Sequence, residues 1–189
     1  MTDSETLGAS LFRRAIRAAA VLALGGAVAA CGLTTPRKPP PPCPPILVLK
    51  DAATLTKLRP GSGRDITDVL YSGQITDFRA ECKFEKDLSE VEIRLNIAFV
   101  LTRGAANTDR KVRFEYFVAM PRFHPLPQGK KVFGKSGEFK GNRARLGAVE
   151  EVTLTIPLQK GSKLDEYRIF IGFQLTEQEI EFNRSRNRF

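Results

Sequence analysis

Val91-Glu92-Ile93-Arg94-Leu95-Asn96-Ile97-Ala98-Phe99-Val100-Leu101-Thr102 places an apolar side chain at every odd position and mostly polar or small ones between them. A period of two is the pleat of a β-strand with one face buried and one in water, so this stretch predicts an antiparallel strand. Weaker alternation predicts strands at Ile46 to Lys50, Asp68 to Lys86, Lys111 to Met120, Val149 to Leu158 and Glu166 to Leu175. Pro60-Gly61-Ser62-Gly63, Gly104-Ala105-Ala106-Asn107 and Gly161-Ser162 supply turn residues between them.

Two stretches break the pattern. Asp51 to Leu58 reads either as one helical turn or as an extended loop, and residues 121 to 147, rich in Gly, Pro and Lys, read as a long loop with one or two weak edge strands. Thr176-Glu177-Gln178-Glu179 followed by Ile180 matches a capping box and predicts a short C-terminal helix. Six to eight strands and few helices predict an all-β antiparallel β-sandwich, immunoglobulin-like or transthyretin-like, with a small barrel as the alternative.

The N-terminus is of a different kind. Arg13-Arg14-Ala15-Ile16-Arg17 precedes an Ala/Leu/Val run ending Val28-Ala29-Ala30-Cys31, which is a basic n-region, a short h-region and small residues before a cleavage point. The 13 residues from Ala18 to Ala30 fall short of the roughly 20 that a spanning helix needs. A plain cleavable signal leaves Cys31 without a role, whereas a bacterial lipobox makes it the lipidated first mature residue. Several acyl chains on Cys31 give stable anchoring, at about 0.8 kcal/mol per buried methylene. Gly32 in place of an Asp favours the outer membrane. The expected layout is a lipoprotein signal peptide at 1–30, a lipidated tether at 31–45 and one domain at 46–189. The tether run Gly32-Leu33-Thr34-Thr35-Pro36-Arg37-Lys38-Pro39-Pro40-Pro41-Pro42 favours polyproline II, a semi-rigid stalk of about 3.1 Å per residue.

Removing residues 1–30 takes Arg13, Arg14, Arg17, Asp3 and Glu5 from 30 basic and 21 acidic residues, leaving 27 against 19 and an excess of +8. Outside the cytoplasm the polyanions on offer are lipid headgroups, lipopolysaccharide and acidic proteins rather than nucleic acid. The charge reads as spread along the chain except at the end. With Cys31 lipidated, Cys43 and Cys82 remain as an even pair in an oxidising compartment, which predicts a disulfide. One His and two cysteines 39 positions apart do not make a metal site.

Gly129-Lys130-Lys131-Val132-Phe133-Gly134-Lys135-Ser136 matches the phosphate-loop pattern letter for letter. That chemistry needs a buried strand before the loop and a helix after it. The preceding Pro121-Arg122-Phe123-His124-Pro125 and the following Gly137, Gly141 and Gly147 provide neither, so the string reads as a basic glycine-rich loop that binds no nucleotide. His124, the only histidine, can be combined with Ser136 and an Asp on paper, yet no nucleophile elbow supports a triad. Asp65, Asp68, Glu150 and Glu151 read as solvated turn and strand residues, so the chain is not expected to be an enzyme. Candidate anion- or partner-binding residues are Arg64 in the Arg59 to Asp65 turn, Lys130, Lys131 and Lys135, and Arg184, Arg186 and Arg188 in the acid-free tail Asn183 to Phe189.

The lipobox, the proline tether, Cys43-Pro44-Pro45-Ile46-Leu47-Val48-Leu49-Lys50-Asp51-Ala52, the Pro60 to Asp65 turn and Phe173-Gln174-Leu175-Thr176 together resemble a family of uncharacterised alphaproteobacterial lipoproteins. The resemblance supports the envelope address and implies no activity, cofactor or catalytic residue. The expectation is a periplasm-facing lipoprotein that works through protein contacts in an envelope assembly. The alternative is a binding module for an anionic envelope component.

Overall fold

A computed structural model describes residue 39, residues 41–61 and residues 65–186. Cys31, Arg64 and Arg188, and the side chain of Arg186, lie outside the described residues, as do the signal peptide and most of the tether. From Pro40 onward the chain is one compact unit.

Among the described residues eight strands form two four-stranded sheets. The first contains β1 (Ile46–Val48), β8 (Ile169–Phe173), β5 (Lys111–Ala119) and β6 (Lys130–Glu138), in that spatial order. The second contains β2 (Thr54–Leu58), β3 (Val69–Phe84), β4 (Glu90–Arg103) and β7 (Arg145–Pro157). All pairings are antiparallel except β1 with β8. β4 pairs β7 in one sheet while β5 pairs β8 in the other, an interlock that ties the sheets in Greek-key fashion. The fold is therefore an antiparallel β-sandwich with two open-edged sheets, not a closed barrel.

The deciding stretch is β4, central in its sheet, and its odd side chains from Val91 to Leu101 are all at or below 1 % exposure. Facing them are Val112, Phe114, Tyr116, Ile169, Ile171 and Phe173. Phe99 contacts Phe114, Tyr116 and Phe173 at ring-centroid distances of 5.0–5.6 Å, favourable tilted geometry that links the sheets. A Cβ at Gly73 would come within 2.9 Å of Leu101 and 3.0 Å of Phe173, so the sheets close tightly only on glycine there.

Several elements differ from their sequence expectation. Asp51 to Leu58 is neither one helical turn nor a loop. A 3-10 turn at Lys50–Ala52 carries the chain between sheets and Thr54–Leu58 is the edge strand β2, whose partner on β3 no local pattern reveals. Within 121–147, β6 is a full nine-residue strand and β7 starts at Arg145. β3 carries a register shift between Ile75 and Asp77. Ahead of it Tyr71, Gly73 and Ile75 face the core, and beyond it Phe78, Ala80, Cys82 and Phe84 do. A bulge flips side-chain phase in this way. It turns Cys82 inward, where it meets Cys43 ahead of β1 at an S–S distance of 2.11 Å. The pair joins the two sheets.

The capping box forms as predicted. Thr176 N–H donates to Glu179 Oε2 at 2.9 Å, Glu179 N–H donates to Thr176 Oγ1 at 3.3 Å, and α1 (Glu177–Arg186) follows. Among the described residues no helix is long and apolar enough to cross a membrane.

Candidate functional site

Of the four sequence-derived binding candidates whose side chains are described, Lys130, Lys135 and Arg184 are engaged and Lys131 is exposed. The phosphate-loop-like string is an edge strand: residues 130–138 pair with β5 from Ala119↔Lys130 to Lys111↔Glu138, which overturns the loop reading. Strand alternation divides its lysines. Lys130 lies outward with its Nζ 4.7 Å from the Phe117 ring centroid, a cation–π contact. Lys135 turns inward to an ion pair with Glu150 of β7, so this lysine and this glutamate are not the free solvated groups that sequence suggested. Inward-pointing charges of this kind protect two open sheet edges from pairing with other chains. Lys131 is exposed.

Arg184 is likewise a structural residue. Its Nε donates to Asp51 Oδ2 at 2.8 Å, and the neighbouring buried Asn183 donates through Nδ2 to the carbonyls of Asp51 (2.9 Å) and Thr54 (2.8 Å). The helix is latched to the β1–β2 crossover. Asp65 and Asp68 cap the 3-10 turn before β3, and Asp68 pairs with Arg59, so this turn is held by its own charges. Ser136 lies near the end of β6 beside Arg113, whereas His124 follows the 3-10 turn at Pro121–Phe123 by the opposite end of β5. The paper triad does not assemble. Among the described residues no group of three His, Cys, Asp or Glu side chains could hold a metal.

What local patterning missed is a break in strand pairing. β8 pairs with β5 only along Tyr116–Ala119 and ends at Phe173, because the capping box of α1 diverts the chain at Gln174 to Thr176. β5 runs on to Lys111 with β6 on one side and, among the described residues, no strand on the other. Beside this open half lie two clefts of about 640 and 500 Å³ that share Tyr71 and Arg113. Leu55, Leu70, Tyr71 and Phe114 supply apolar walls. The Lys57–Glu179 ion pair at 3.1 Å, Lys111 and Glu115 supply a charged rim.

The open edge is capped rather than bare. The carbonyl of Lys111 accepts from Asn107 Nδ2 at 2.9 Å, that of Arg113 from the Tyr71 hydroxyl, and that of Glu115 from Gln174 N–H at 2.8 Å. Burial raises the Tyr71 phenol above its ordinary value, against the opposing pull of the Arg113 backbone and Lys57, which keeps the hydroxyl protonated to donate. Two buried acceptors, Asn107 Oδ1 and Gln174 Oε1, belong to residues that line these clefts and have no hydrogen-bond partner. Each open-side carbonyl of this edge already holds a donor, so an added segment would share or displace these caps and would meet the Arg113 N–H between them.

Comparison of the chain with protein-family models, with curated proteins and with solved structures finds no match in any of the three.

Proposed function

We propose that the protein is a bacterial envelope lipoprotein of the alphaproteobacterial kind that its sequence resembles, anchored through Cys31 and facing the periplasm from the outer membrane. The sandwich is a non-enzymatic interaction module in an envelope assembly. Its partner contributes an extended segment that adds to the open half of β5, where main-chain hydrogen bonds give affinity and the clefts receive alternate side chains. The observation that carries this reading is the early end of β8, which among the described residues leaves Lys111–Phe114 without a strand neighbour on the side away from β6, beside apolar-walled clefts.

The test is affinity capture of the full-length lipidated protein from gently solubilised envelopes, beside Arg113→Pro. The Arg113 carbonyl points to the open side, so its N–H does too, and proline there removes a donor from the open edge while sparing the β5–β6 ladder. The reading expects one or two stoichiometric partners with the native chain and their loss with Arg113→Pro. Equal recovery by both, or no protein partner, refutes it. In parallel, Cys31→Ser is expected to lose membrane association, and retention would remove the lipid anchor.

A further inference from the structure

The end of the sandwich opposite Cys43 gathers charge that the sequence shows only as scattered turn residues. Two connections meet there: residues 103–111 between β4 and β5, and residues 138–145 between β6 and β7. They carry Arg103, Arg110, Lys111, Lys140, Arg143 and Arg145 against only Asp109 and Glu138. Among the described residues none of the six cations makes an ion pair; elsewhere Arg59, Arg79, Arg94, Arg122 and Arg184 do, while Arg113 and Arg168 do not.

The two connections are bound to each other. Arg103 N–H donates to the Ala144 carbonyl at 2.8 Å, and Phe139 N–H donates to the Arg110 carbonyl at 2.9 Å. Phe139 is buried beneath them, and Arg110 is held at φ 60°, a left-handed conformation that a non-glycine residue adopts only when its surroundings impose it. Concentrating like charge without counter-ions works against the folded state, and it raises the local concentration of anions. Arginine is the side chain suited to bidentate recognition of carboxylate and phosphate.

Arg145 belongs to a second feature as well. It closes one end of a groove of about 370 Å³ on the outer face of the second sheet, lined by Thr54, Ser72, Gln74, Thr102 and Asn183 among others. The hydroxyls and the Gln74 carboxamide both donate and accept, the pattern that hydroxyl-bearing rings need, whereas Asn183 Nδ2 is spent on the Asp51 and Thr54 carbonyls. We propose that this pole and groove together bind an anionic glycan, its acid groups on the arginines and its hydroxyls in the groove at Arg145. The source follows from the groove, whose hydroxyls suit a polymer of hydroxyl-bearing rings better than a phospholipid headgroup, and it rests on the anchored reading above.

The probe is polygalacturonate, a carboxylated polysaccharide, with neutral dextran, polyglutamate and phosphatidylglycerol-containing vesicles as comparisons, applied to the full-length detergent-solubilised protein. Expected is salt-sensitive binding to polygalacturonate, at least about ten-fold weaker in Lys140→Ser/Arg143→Ser, with no binding to dextran. Arg145→Ala is expected to weaken polygalacturonate more than polyglutamate. Equal binding of polyglutamate and polygalacturonate would reduce the pole to a charge-only surface. Preference for the vesicles would make it a lipid site, and either result, or no binding, overturns the glycan proposal. Partner capture with Lys140→Ser/Arg143→Ser separates the two readings: the trough depends on Arg113 and is expected to be unaffected.

Discussion

Replacing Asn183 with alanine tests whether the C-terminal helix is a working part of the sandwich. Asn183 is 5 % exposed and its amide spans the carbonyls of Asp51 and Thr54 at 2.9 and 2.8 Å, at the crossover from β1 to β2. The Thr54 carbonyl points away from β3, since Ala53 and not Thr54 accepts from Ile75 N–H, so the helix is its source of a donor. Losing two such donors costs about 1–1.5 kcal/mol each. Alanine returns about 0.5 kcal/mol of helix propensity, for a net loss of about 1.5–2.5 kcal/mol. At about 2–4 °C per kcal/mol for a domain of this size, Tm should fall by about 3–10 °C. Asn183→Asp should be worse, because it removes both donors and sets a carboxylate against two carbonyl oxygens beside Asp51. Urea unfolding followed by circular dichroism measures both. An alanine variant within about 0.5 kcal/mol of the native chain, or an aspartate variant more stable than the alanine one, refutes the latch.

Two more outcomes concern the core and its covalent tie. Tyr116 is fully buried and burial, aided by Glu150, pushes its phenol up to about 12, while Tyr71 is raised in the same direction. A phenol harder to ionise folded than unfolded leaves stability flat below pH 10 and erodes it from pH 10 to 12, by about 1.4 kcal/mol per unit for Tyr116. Denaturant unfolding of Tyr116→Phe should show a shallower alkaline slope, and an unchanged slope removes the assignment. The Cys43–Cys82 bond closes a loop of 39 residues' separation, so Cys43→Ser/Cys82→Ser should lose about 2–4 kcal/mol in the chain-entropy account; native stability in that variant would show that the loop does not constrain the unfolded chain.

Local pattern was sufficient wherever one short stretch carries its own constraint. The alternation from Val91 to Leu101 made β4 a half-buried strand and the chain an all-β sandwich, because a period of two is dictated by the pleat itself. The capping box at Thr176 placed α1, since its two hydrogen bonds join residues three apart. The paired cysteines followed from parity. Pairing and register lie beyond such reading, because they join residues far apart in sequence. Thr54–Leu58 became a strand only by meeting β3, and the bulge after Ile75 turned Cys82 inward only in register with β4. The lysines of 130–135 left the expected loop when β5 took them as an edge strand, and Arg184 became a latch when α1 reached Asp51. Two surface features were decided in three dimensions alone. β5 is open because β8 stops short of it, and the basic pole exists because residues 103–111 and 138–145, each unremarkable as a turn, are folded against one another.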